Sequence, residues 1–439
     1  MTDFAASEQR PLRLPRIRIP RFHGPLTYEH VVRGAFYLFV AAGAISLIEP
    51  SPYDLMFLIA APIWAISKFR IHKSLAAILF LWTVYLLAGF LALMPYLNEP
   101  DPVKYQFQSL YLFCTVIFFT VFFSQNTIER LETGLRGFTA GAIFCAIVGL
   151  LAYANIAGLG AIMLTEFEGR LNGTFKDPNV LGSYLILAAC FLSQGIFLMR
   201  ARRQWVTAGA LLAILLAIFL SFSRGSWAAT LVAVSLVFVS AFLTCGSAKL
   251  RRRMTGMIII GLLAVSIGIA GVVSNDRVMN LLKDRFTVTK DYDEGPNGRF
   301  GNQIRSIPML LERPLGFGPL RFRLVFNLEP HNSYVNSFAS FGWLGGFSWF
   351  TIVGWTMFIG FRLMFVFSPY RRYAQVFWPA LFVLLVQGLQ IDIDHWRQVF
   401  LCFGAVWGME AARVKWLIEQ AREKAAAGLA YAGRSASAA

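Results

Sequence analysis

Charge is what this sequence has least of. Only 15% of its 439 residues are Asp, Glu, Lys or Arg, against about 25% in a soluble domain. Hydrophobic residues make up 57% and the mean hydropathy is +0.58. That composition excludes a soluble multidomain protein, which length alone would allow. Cysteine is scarce as well. Cys114, Cys145, Cys190, Cys245 and Cys402 stand singly in or at the ends of apolar segments, so no disulfide framework and no paired-thiolate metal site is written here. No P-loop, dinucleotide-binding fingerprint or nucleophile elbow occurs, which leaves ATP-driven transport within this chain unsupported. No cleavable signal and no internal repeat is expected; "RPLRLPRIRIPRFHG" reads as a basic, proline-broken cytoplasmic anchor.

What is present is a series of apolar runs close to the ~20 residues that cross a bilayer. About twelve are expected, at 31–48, 54–68, 74–96, 107–124, 134–157, 180–199, 205–222, 226–245, 255–274, 333–367, 374–391 and 397–416. The fold class is therefore an all-α polytopic membrane protein. The net charge of +16 would suggest nucleic acid in a soluble protein. Here the basic clusters ("SKFRIHKS", "ERLETGLRG", "MRARRQW", "AKLRRRMTG", "SPYRRYAQ") fall on alternate connections. That pattern puts both termini in the cytoplasm and gives no reason to expect nucleic acid. The organisation expected is a basic arm at 1–30, helices 1–9 at 31–274, an external loop or cap at 275–332, helices 10–12 at 333–416 and a cytoplasmic tail at 417–439. The tail, rich in small residues, is expected to be disordered.

Polar residues that break the topological trend gather at the external ends. The sixth run opens "FKDPN", with Asp177 able to cap and Pro178 suited to the first turn. The eighth opens "SFSRGSW", with Ser223 or Ser226 as cap, and the tenth opens "EPHNSY", with Pro330 at its start. Arginines accompany these starts: Arg170, Arg224, and Arg299, Arg305, Arg321 and Arg323. Guanidinium groups beside helix N-termini suit phosphate oxygens, so the expectation is a site for a lipid-linked phosphate or diphosphate. The blander alternative for any one of them is a snorkelling or ion-paired residue, and for Arg321 and Arg323 in "RFRLVF" a solvated edge. His331 is the histidine at an external helix start, where an imidazole can move a proton near neutrality. "DIDHW", with Asp392, Asp394 and His395, matches no metal-ligand signature and reads as a solvated turn.

These segments resemble the O-antigen ligase family, within the wider O-antigen ligase and polymerase superfamily. Its pattern of His, then Asn/Ser/Gln, nine residues, Gly, two residues and Gly/Thr/Tyr reads here as His331, Asn332, Ser333 to Phe341, Gly342, Trp343, Leu344 and Gly345. "GRLNGTFKDPNVLGSYL" is similar to the family's arginine-led entry to a span, carrying Arg170, Asp177 and Asn179. "SFSRGSW" is similar to its arginine turn, with Arg224, and "GRFGNQIRSIPMLLERPLGFG" to its external loop, with Arg299 and less directly Arg305. The resemblance implies a fold like the C-type membrane glycosyltransferases, with a large external loop between helices 9 and 10. It further implies inverting, metal-independent transfer with no cofactor. The donor would be a glycan on undecaprenyl diphosphate and the acceptor lipid A-core or a growing glycan, at the periplasmic face of the bacterial inner membrane. By the same resemblance Arg170 and Arg224 hold the diphosphate and His331 orients or deprotonates the acceptor, with Asn332, Gly342 and Gly345 in support. The alternatives within the family are a polymerase of O-antigen or exopolysaccharide units and a protein O-oligosaccharyltransferase. From other classes come a transporter or flippase, which would place charge mid-membrane, and an assembly scaffold.

Overall fold

A computed structural model of the chain describes residues 27–67, 69–165, 169–198, 204–273, 295 and 298–437. The N-terminal arm at 1–26, the basic cluster at 199–203 and most of the first half of the expected cap lie outside them. The elements are α1 Tyr28–Ala42, α2 Pro52–Ala65, α3 Ala76–Leu93, α4 Pro100–Phe123, α5 Thr127–Tyr153, α6 Gly160–Met163, α7 Pro178–Leu198, α8 Gln204–Leu220, α9 Arg224–Thr244 and α10 Ala248–Val273. They continue with α11 Arg299–Leu311, α12 Phe322–Phe326, α13 Ser333–Phe365, α14 Arg371–Gln387 and α15 Arg397–Ser437. Among the described residues the only β-like pairing is the isolated bridge Leu164–Leu171.

A helix stands on each apolar run read from the sequence. Six of them (α3 with its flanking turns, α4, α5, α7, α9 and α13) are long and apolar enough to cross a membrane, while α2 and α8 are apolar but shorter. Helices such as α3 are apolar all round, with Trp82 buried at 2% and Phe80 exposed at 67%, as expected where lipid replaces water on the outer face. The architecture is that of a multi-pass membrane protein. The bundle packs α3 on α13, α4 on α15, α1 on α5, and α7 between α8 and α9, with α14 against α9. Phe36, Phe39, Phe118, Phe119 and Phe122 interlock at its centre.

Two expectations are corrected. The tail is not disordered over its described length, because α15 continues to Ser437. Nor does Pro330 open the tenth run: α13 begins at Ser333, and Asn332 is its cap.

At the end remote from His331, guanidinium–carboxylate pairs tie the helices together. Arg130 binds Glu29 at 3.0 Å, Arg33 binds Glu129 at 2.8 Å, and Glu410 holds Arg362 at 2.6 Å and Arg413 at 2.8 Å.

Candidate functional site

The turn between α14 and α15, residues 388–396, organises the His331 end. Ser333 N–H donates to Gly388 O at 2.7 Å and Arg299 Nη1 to Gln390 O at 3.1 Å. Asn332 N–H donates to Asp392 Oδ1 at 3.1 Å, and Ile393 N–H to Ser333 Oγ at 2.7 Å. The side chain of Asn332 caps α13, accepting from the N–H groups of Tyr334 at 3.0 Å and Val335 at 3.1 Å. Its amide in turn donates to Gln303 Oε1 of α11 at 3.3 Å. A buried asparagine at this position is thus explained by helix capping and by its grip on the cap segment.

His331, just before the cap, has φ +45°, a left-handed conformation uncommon for residues other than glycine and concentrated at functional sites. Its Nδ1 lies 3.8 Å from Asp392 Oδ2, with the histidine side chain 40% and the aspartate 26% exposed. Burial, with the charges of Asp394 and Glu329, holds the Asp392 carboxyl well above the usual carboxylate range, against the opposing pull of the Asn332 and His331 N–H groups. Glu329 is raised too, by burial.

Asp394, two residues on, is enclosed. It accepts from the Tyr105 hydroxyl and from Asn336 Nδ2 at 2.9 Å, and lies 3.4 Å from His395 Nδ1. The other ring nitrogen of His395 lies 3.3 Å from Ser109 Oγ. Burial acts to raise this carboxyl but is outweighed by the His395 charge and the hydrogen bonds from His395 and Tyr105, so its pKa falls below the ordinary value. The solvated turn expected for "DIDHW" is therefore a correction: Asp394 is folded inward against α4 and α13, and Asp392 is partly covered where it meets the Asn332 N–H and His331.

A second group forms where α7 and α9 begin. Asp177 Oδ1 accepts from Asn179 N–H at 2.6 Å, the cap anticipated for the sixth run. Asn179 Oδ1 accepts from Arg170 Nη2 at 3.0 Å, while Arg170 Nε donates to Ser221 O at 2.9 Å. Arg170 is thus braced between the start of α7 and the α8–α9 turn. That turn continues through Phe222, φ +48°, to Ser223, whose hydroxyl caps α9 by accepting from Ser226 N–H at 3.3 Å. Arg224 is the first residue of α9 and is exposed. Next to it, Gly225 abuts the end of α14: a Cβ there would sit 3.6 Å from Gln387 Nε2. Gln387 and Gly388 are consecutive, so the Arg170–Arg224 corner and the His331–Asp392 corner meet across the end of one helix.

The remaining arginines stand apart. Arg305 lies over the Phe326 ring at 5.8 Å. Arg321 pairs with Glu99 and covers Tyr96 at 4.4 Å, and Arg323 pairs with Asp101 at 3.2 Å and Glu329 at 3.7 Å. These pin α12 to the start of α4. The motif glycines have steric roles. Gly342, φ +66° and ψ −168°, breaks α13 so that Trp343 N–H donates to Pro314 O at 2.8 Å, and a Cβ on Gly342 would lie 2.3 Å from that oxygen. A Cβ on Gly345 would meet Phe341 Cβ at 2.2 Å. Among the described residues no group of three or more His, Cys, Asp or Glu side chains is arranged to hold a metal.

Residues 208–350 match the family model described as O-Antigen ligase. The motif resemblance is thus supported over residues 208–350, which are similar to the O-antigen ligase family. The match takes in Arg224, Arg299, Arg305, His331, Gly342 and Gly345, while Arg170, Asp177, Asn179, Asp392 and Asp394 lie outside it. No curated protein matches the chain.

Proposed function

We propose that the chain transfers a glycan from undecaprenyl diphosphate to an acceptor hydroxyl at the periplasmic face of the bacterial inner membrane, as an O-antigen ligase with lipid A-core as acceptor. The observation that carries the reading is the meeting of the two corners: guanidinium groups by the starts of α7 and α9, and an imidazole–carboxylate pair at the start of α13, either side of the end of α14. Arg170 and Arg224, together with Arg299, which donates to the turn that carries His331's partner, hold the diphosphate in this scheme and stabilise the charge that develops on it as the glycosidic bond breaks. One such contact is worth about 10²–10³ in rate. His331 accepts the proton of the acceptor hydroxyl as its oxygen bonds to the anomeric carbon from the opposite side, which inverts the configuration. Asp392, 3.8 Å from Nδ1, orients the imidazole for that transfer in this scheme. Neutralising the diphosphate with guanidinium groups makes the transfer metal-independent in this scheme.

A polymerase of O-antigen or exopolysaccharide units, or a protein O-oligosaccharyltransferase, would use the same donor half and differ only in the acceptor. A transporter is less well supported, because the acid–imidazole pairs lie at one end of the helices and not at mid-span. The test is purified protein with an undecaprenyl-diphosphate glycan and EDTA, with and without lipid A-core. A single-step mass increase of lipid A-core, absent in His331→Ala and Arg224→Ala, is the expected result. A ladder from donor alone makes the chain a polymerase. Donor crossing reconstituted vesicles without transfer overturns the enzyme reading.

A further inference from the structure

On the other face of α15 lies a cavity that the proposed reaction does not use. Its walls include Tyr53 of α2, Tyr184 of α7, and Arg397 and Gln398 of α15, with Phe119 and Phe138 beside them. Tyr53, Tyr184 and Gln398 are exposed by only 3%, 2% and 4%. Yet Tyr53 Oη, Tyr184 Oη and Gln398 Nε2 have no hydrogen-bonding partner among the described residues. Buried polar atoms are seldom left so, because each costs about 1–3 kcal/mol of lost solvation. Three lining one small space is hard to reconcile with an empty void.

We infer that this cavity is a binding site for a single water molecule that bridges Tyr53, Tyr184 and Gln398. The space measures about 10 Å³, close to the ~10–15 Å³ that admits one water, and buried waters typically make about three hydrogen bonds. The guest must accept from the Gln398 amide, which rules out ammonium or a metal cation. A small anion has less to recommend it, since the Arg397 guanidinium is already met by both Asp54 oxygens at 3.1 Å. Water also gives to and takes from the two phenols equally well.

The bridge joins α7, whose start carries Asp177, Asn179 and the grip on Arg170, to α15, which follows directly on the turn bearing Asp392 and Asp394. It therefore fixes the two halves of the candidate site to each other. The site itself stands independently of the glycosyl-transfer reading, and the test uses stability so that the two can fail separately.

The variants are Tyr53→Phe, Tyr184→Phe and the double, nearly isosteric changes in the full-length purified protein, followed by thermal unfolding. With a bridging water each single change lowers Tm by about 2 °C, on the scale of one lost hydrogen bond, and the double falls by less than the sum. With a dry cavity, removing an orphaned hydroxyl raises Tm, and that result overturns the inference. So does a loss of wild-type Tm when gluconate replaces chloride, which would make the guest an anion. A density map showing one isolated peak within hydrogen-bond distance of all three atoms supports the water, and continuous protein density there overturns it.

Discussion

Two acid–imidazole pairs take their carboxylates from one turn of this molecule, and they differ in almost every physical respect. His331 and Asp392 are 40% and 26% exposed, stand 3.8 Å apart and face the cap. His395 and Asp394 are 26% and 10% exposed, stand 3.4 Å apart and are roofed by Tyr105 and Asn336. The same chemistry has been divided: one carboxylate is saturated with donors and held ionised, the other is desolvated, crowded by like charge and held toward its neutral form. Carboxylates whose environments drive their pKa values apart take different jobs. The enclosed pair anchors the turn between α14 and α15, and the more exposed pair is the one to which the proposed reaction gives the acceptor.

That division can be broken by substitution, beginning with the open pair. His331→Ala is expected to lower glycan transfer about 10²–10⁴-fold, with Tm and circular dichroism unchanged. Asp392→Asn comes next, at about 10–10²-fold, the scale of a lost orienting partner. It also alters the pH profile of kcat/KM, which a merely structural role would leave alone. If transfer in both variants equals the wild type, His331 and Asp392 are not the reactive pair.

Stability separates the two carboxylates by sign. Asp392 has a raised pKa in the folded state, so the fold binds a proton that the unfolded chain releases, and stability falls as pH climbs from the ordinary carboxylate range through the raised value. Asp392→Asn is free of that loss. Its Tm should exceed the wild type at about pH 8 and converge with it toward pH 4. Asp394 runs the other way: its lowered pKa supplies stability above the ordinary carboxylate range that disappears as pH falls through the folded value. Asp394→Asn should therefore unfold several degrees early at neutral pH, with a smaller deficit in acid. Matching signs in the two variants would dissolve the distinction.

The smallest effect is expected from Arg321→Ala. Arg321 is paired with Glu99 on the rim, and exposed pairs contribute about 0–1 kcal/mol, so transfer should stay within about twofold of the wild type. A loss comparable to that of Arg224→Ala would return Arg321 to the phosphate-binding set.

Part of the site was legible residue by residue. Asp177 and Ser223 announced their helix starts because a cap bonds N–H groups two or three positions away, which local sequence encodes. Asn332 caps in the same way, at the start expected for the tenth run, although Pro330 is not its first helical residue. Gly342 stood out as a motif position, but the reason for it is a carbonyl from Pro314 lying against its Cα. Asp392 and Asp394 were read as solvated. Their partners, Asn332 and Tyr105, lie far away in sequence, and no local spacing encodes such a contact. The one signal was compositional: two acids and a histidine together in a chain poor in charge.

The sequence by itself determined the helices, their apolar faces and which helix starts carry arginine or histidine, because those properties follow from periodicity, capping and solvent preference along the chain. Only the tertiary structure decided which charges are paired on the rim, which carboxylate is enclosed, and that the starts of α9 and α13 meet at the end of α14. Those outcomes depend on desolvation and on contacts between segments remote in sequence, and both come into being only when the helices pack.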